Sequence, residues 1–171
     1  MEYMMREKIL SRLIIATLVC AGIVAGVFFA FSSFVMPALG SISPESGISA
    51  MQAINTMAVN PKFMLCFMGA TLFSTTLFAY GFMRWSEAGS AWLIVGSACY
   101  LFGCFIVTAT ANVPLNDALA HVDPHAVDAA VDWQRYIHEW TQWNHVRTVC
   151  ATLTMLCMAV AVRMRGCKHN T

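Results

Sequence analysis

The sequence predicts an all-α membrane protein: a four-transmembrane-helix bundle with short extracytoplasmic helices and a long, protruding C-terminal helix. Three observations predict it. The 171-residue chain is 58% hydrophobic and only 11% charged, with a mean hydropathy of +0.64, whereas soluble domains carry about 25% charged residues. Three apolar segments reach the ~20 residues that cross a bilayer, and a fourth, shorter and holding Arg147 near its start, can borrow residues from upstream. Finally, residues 125–165 contain neither Gly nor Pro, the composition of an unbroken helix interior.

The spans fall at about 13–36, 63–83, 91–111 and 143–163 within one domain covering 1–171, with outer loops at about 37–62 and 112–142. Arg6, Lys8 and Arg12 precede the first apolar run as in a secretory signal. That run is too long for a signal core and lacks a small-residue cleavage site, so it is read as a retained span. Arg6, Lys8, Arg12, Arg84, Arg163, Arg165 and Lys168 fall on one side, and only Lys62, Arg135 and Arg147 on or near the other. The positive-inside rule puts both termini in the cytoplasm. The outer loop at 112–145 is then acidic, with Asp117, Asp123, Asp128, Asp132 and Glu139.

Local signals set the helix ends. Asn60-Pro61 reads as an N-cap followed by a first-turn Pro opening span two, and Ser43-Pro44 as the same for a short helix at about 44–59. Ile48, Met51, Ile54 and Met57 recur there at helical spacing, so that helix lies on the membrane or caps the bundle. Asp123-Pro124 predicts the start of a C-terminal helix of about 40 residues, ~60 Å long and twice the hydrocarbon thickness. Pro114 is expected to break the end of span three and free its carbonyls.

The polar residues of the long helix are the candidate site. At ~100° per residue, Trp133, Ile137, Trp140, Asn144 and Arg147 fall within about 80° of one another, with His138 and His145 on a second stripe. Trp140 and Trp143 read as an aromatic belt or as a binding wall. Arg147 either snorkels or faces protein, because an Arg, a His and an Asn at a span's mouth are costly in lipid. At the same depth lies Asn112-Val-Pro114-Leu-Asn116-Asp117, whose amides either cap helix ends or face the Trp140–Arg147 side.

Other chemistry is less favoured. The seven cysteines form no C-x-x-C, and all but Cys167 sit in apolar runs, where Cys is a small hydrophobe. The outer loops carry no cysteine pair, against a disulfide-generating quinone reductase. Asp117, His121 and His125 are spaced i, i+4, i+8, but Pro124 interrupts a shared helix. His138 and His145 stand about 10 Å apart along their helix, too far to share an ion, and His169 reads as a solvated tail residue. A net charge of +1 gives no pull toward nucleic acid. No span holds an internal carboxylate and the halves show no repeat, against a transporter. Gly22-x-x-x-Gly26 permits helix association, including a homo-oligomer.

Phe31-Ser-Ser-Phe-Val-Met-Pro37, Ala58-Val-Asn60-Pro61, Asn112-Val-Pro114-Leu-Asn116 and Trp140-x-x-Trp143-Asn144-His145-x-Arg147-Thr148 together resemble the anthrone oxygenase-like family of small four-span membrane proteins. The resemblance spans nearly the whole chain, and the last motif is its most specific part. It implies oxidation of an anthrone to an anthraquinone, a reaction associated with fungal members, and the family's bacterial abundance implies a bacterial inner membrane. His121, His125 and His138 are outside the pattern and receive no role. For that reaction the chain has a candidate base in His145, oxyanion donors in Asn144 and Asn112, and a charge stabiliser in Arg147. Trp140, Trp143, Asn116 and Asn60 are candidate substrate contacts. The anthrone carbanion reduces O2 directly, so no cofactor beyond O2 is required, and a metal variant stays open. Two readings without catalysis also stand: binding of a lipid, quinone or hydrophobic metabolite, or a structural subunit packed on a partner.

Overall fold

The computed structural model describes residues 2–167; Lys168 and His169 lie outside the described residues. Five helices carry the fold. Helix α1 runs Glu2–Ala30, passes through a π-helical turn at Phe31–Val35 and ends as Met36–Gly40. Helix α2 is Pro44–Ala58 and α3 is Pro61–Met83. Helix α4 begins as Ser90–Ala98, becomes π-helical over Cys99–Ile106 and Thr108–Asn112, and finishes as Val113–Ala120. Helix α5 is Ala129–Cys167. All but α2 are long and apolar enough to span a membrane. The protein is a helical membrane bundle.

The four long helices form an up-down-up-down ring in which α1 touches α3 and α5, and α4 touches the same two. Small residues let α4 lie close to α5: a Cβ on Gly96 would come within 2.7 Å of Cys157, and one on Gly103 would collide with Cys150. Gly22 serves a similar contact inside the bundle, facing Met155 of α5, while Gly26 faces open space.

Capping signals act where the sequence put them. The Ser43 hydroxyl accepts from Ser46 N–H, and Asn60 Oδ1 accepts from the N–H groups of Lys62 and Phe63. Two prolines, however, do not end their helices. Pro37 and Pro114 each follow a π turn, in which the N–H of Met36 reaches back to Phe31 O and that of Val113 to Thr108 O. A proline needs no N–H partner but clashes with the carbonyl four residues back; the wider turn moves that carbonyl aside. The expected break at Pro114 is therefore absent, and α1 runs on through Pro37. The start of α5 is also corrected. Asp123 Oδ1 accepts from His125 N–H in a tight turn, and the helix opens four residues later at Ala129.

The protruding half of α5 is not bare. Trp133, Tyr136 and Trp140 stack along it and meet Met36, Ile48, Met51 and Leu119 in a separate apolar cluster beyond the span. Helix α2 caps the bundle: its Ile48 and Met51 are fully buried, and Gln52 donates to the carbonyls of Leu119 and Val122. Gly47 permits this fit, since a Cβ there would lie 2.7 Å from the Trp133 ring. At the opposite, terminal end, Arg165 bridges Glu7 (3.1 Å) and Glu87 (2.7 Å), joining α1, α5 and the 84–89 turn.

Candidate functional site

The site is built on the inward face of α5 where it enters the bundle. Helical spacing places Trp140, Asn144 and Arg147 on that face, and all three are buried. Asn144 is fully enclosed. Its Nδ2 donates to Phe28 O at 2.7 Å and Ser32 Oγ at 2.8 Å, and its Oδ1 accepts from Arg147 Nη2 at 2.8 Å. Arg147 also donates from Nη1 to Thr108 Oγ1 at 3.3 Å, and its Nε has no partner. Its guanidinium carbon stands 4.3 Å from the Phe28 ring centroid and 4.9 Å from that of Trp140, so ring faces supply part of the missing solvation. No carboxylate pairs with Arg147 among the described residues. Removing a cation from water without a counter-charge costs several kcal/mol.

Arg147 borders a cavity of about 340 Å³ between α1, α2, α3, α4 and α5. Phe28, Phe31, Phe63, Phe67, Phe105 and Trp140 supply aromatic walls, and Met51 and Ile54 of α2 the roof. The polar lining is confined to Asn55, Thr108, Asn116 and Arg147. Asn116 Oδ1 accepts from Trp140 Nε1 at 2.8 Å and Tyr136 OH at 2.9 Å, and Asn55 Nδ2 donates to the same hydroxyl at 3.4 Å. Both strong donors converge on Oδ1, so the Asn116 amide nitrogen is left for the cavity that the residue lines. A single cation at one end of an aromatic chamber suits a flat hydrophobic molecule with one oxygen bearing negative charge.

The structure brings Arg147, Trp140 and Asn116 to this cavity and buries Asn144 and Asn112 beside it. Asn112 Nδ2 donates to Trp140 O at 3.1 Å, while its buried Oδ1 has no partner. Three candidates lie elsewhere. His145 is exposed in a separate groove with Pro37, Gly40, His138 and Gln142, because one residue's rotation turns it away from Asn144. Trp143 is exposed on the outside of α5, and Asn60 is the cap of α3. Among the described residues no group of three His, Cys, Asp or Glu is placed to hold a metal ion.

The anthrone oxygenase family profile matches residues 63–157, more than half of the chain. The chain belongs to the anthrone oxygenase family. The matched segment holds α3, α4 and most of α5, and with them Asn112, Asn116, Trp140, Asn144 and Arg147. The walls given by α1 and α2 lie outside the segment matched by the anthrone oxygenase profile. Neither the curated proteins nor the solved structures hold a significant match to this chain.

Sequence reasoning missed Phe28, Asn55 and Thr108. Asn55 had a signal: it stands four residues after Met51 and seven after Ile48, on the apolar face of α2. Thr108 and Phe28 had none, since a lone Thr or Phe in a span is unremarked until its neighbours are known.

Proposed function

We propose that this protein is a membrane-bound oxygenase acting on a flat, hydrophobic, anthrone-like substrate, with Arg147 holding the oxygen that becomes negatively charged. The supporting observation is Arg147 itself: buried, without a carboxylate partner among the described residues, and bordering a chamber otherwise apolar and aromatic. The substrate methylene loses a proton to water at the cavity mouth, and the charge moves to the carbonyl oxygen as an enolate. Arg147 and the Asn116 amide favour that form. The enolate gives one electron to O2, the carbon radical and superoxide join in a C–O bond, and the protonated hydroperoxide loses water. One atom of O2 enters the ring carbon, the other leaves as water, and CH2 becomes C=O.

His145 has no place in this scheme, because it faces another groove. The same lining favours a second reading. It contains no carboxylate, imidazole or thiol, so a site that binds a hydrophobic anion without turnover has support too. We place the termini in the cytoplasm of a bacterial inner membrane. Lys8, Arg12 and Arg163, which form no ion pair among the described residues, support this; Arg6 and Arg165 are engaged with Glu7 and Glu87.

The deciding experiment is O2 uptake by purified protein given an anthrone, corrected for autoxidation. Uptake above background that falls about 100-fold in Arg147→Met, the scale of losing an oxyanion donor, supports the oxygenase. Saturable binding with no excess uptake supports the second reading.

A further inference from the structure

The way into the chamber is set by which helices meet around it. Helix α3 packs along the inner part of α4, over Ser90–Ile106, but the outer turns of α4 go with α5 instead. Asn112 and Asn116 bind them there through Trp140, and the π turn at Thr108–Asn112 lets α4 stay helical past Pro114. A gap follows between α3 and outer α4. Met68 and Val113 line the chamber while remaining 46% and 41% exposed, and Ala109 is exposed as well. Both edges of this opening lie on helices long and apolar enough to span a membrane.

On the side of the outer loops helix α2 narrows the chamber, whose lining there includes the exposed Ala58 and Val59. It does so with Met51 and Ile54, held by Trp133 beneath Gly47 and by the two Gln52 hydrogen bonds. The chemistry of the rim agrees. Met64, Met68, Ala109 and Val113 are apolar, and Arg147, the one cation of the lining, is buried. A solute arriving as an anion from water is met by charge at the mouth, whereas one crossing an apolar rim must be neutral, since a charge in hydrocarbon costs about 3 kcal/mol or more.

We propose that the gap between α3 and outer α4 is a lipid-facing portal, through which the chamber takes an uncharged, membrane-dissolved aromatic weak acid that gives its proton to water only once its oxygen is held by Arg147. The inference rests on the chamber being the binding site proposed above, and it adds the route and the protonation state of the incoming ligand.

The test uses full-length protein in vesicles of phosphatidylethanolamine and phosphatidylglycerol, with 1,8-dihydroxyanthraquinone as an absorbing, unreactive probe. Binding and release are followed by stopped flow in wild type, Val113→Trp, Met68→Trp and Gln52→Ala. The expected result is that the two Trp variants slow both binding and release by about tenfold, while Gln52→Ala leaves both rates unchanged. Rates that are indifferent to both Trp variants but rise in Gln52→Ala overturn the portal and place the entry under α2. Failure of wild-type protein to bind the probe overturns the ligand class itself, and is told apart because the variants then have no rates to compare.

Discussion

Asn144 Oδ1 accepts a 2.8 Å hydrogen bond from Arg147 Nη2, one helical turn away, with both side chains buried. The amide orients the guanidinium without neutralising it, so the charge stays available to the chamber. Replacing Asn144 by Asp keeps the size and supplies a counter-charge, but gives up the amide donor to Phe28 O. Asn144→Asp is expected to lower Tm, and its folded fraction to lose binding of 1,8-dihydroxyanthraquinone by at least tenfold; unchanged affinity measured by titration in vesicles would remove the anion-binding role of Arg147.

Arg147→Met tests the same charge from the side of stability. Replacing a buried cation without a carboxylate partner by an apolar side chain of similar length removes a desolvation cost of several kcal/mol, against about 1–3 kcal/mol for leaving Asn144 Oδ1 without its donor. Thermal unfolding in detergent should show Tm equal to or above wild type while function is lost. A large fall in Tm would mean that Arg147 is chiefly a structural strut.

The chamber roof depends on Gly47. Its Cβ position lies 2.7 Å from the ring of Trp133, which is rigid and almost fully buried. Gly47→Val should push α2 off α5 and cost about 1–3 kcal/mol, read as lower Tm together with faster proteolysis near 41–43. Equal protease resistance would show that α2 seats by other contacts.

His145→Ala should leave ligand affinity and any O2 uptake within about threefold of wild type, because the imidazole is exposed in a groove apart from Arg147. A loss comparable to Arg147→Met would return His145 to the chemistry and require α5 to turn during the reaction.

The terminal end carries an acid-sensitive fastening. Burial alone would raise the Glu87 carboxyl, but hydrogen bonds from Arg165 and Tyr80 and the charge of Arg6 overcome it and hold the group at about 2, below the ordinary 4.5. A carboxyl lowered on folding contributes stability above its unfolded value and loses it as pH falls through the folded one. Thermal stability should therefore decline between about pH 4.5 and 2, and Glu87→Gln should lower Tm at neutral pH while flattening that decline. Parallel curves for the two proteins would place the acid sensitivity elsewhere.

Much of this was legible in the sequence. Runs of apolar residues specify spans because lipid leaves the backbone no partner except its own helix, so α1, α3, α4 and α5 follow from composition alone. The face carrying Trp133, Trp140, Asn144 and Arg147 follows from helical periodicity, a local property of one element. Three matters were settled only by tertiary packing. Pro37 and Pro114 look like breaks, but neighbouring helices keep the chain helical through π turns. Asn144 and His145 are adjacent in sequence, yet only packing against Phe28 and Ser32 decides which of them faces the interior. Phe28, Asn55 and Thr108 come to Arg147 from three different helices, and the chamber exists only where those helices meet. Spans and faces are properties of single segments in their solvent; a cavity is a property of the distances between segments, which no segment encodes alone.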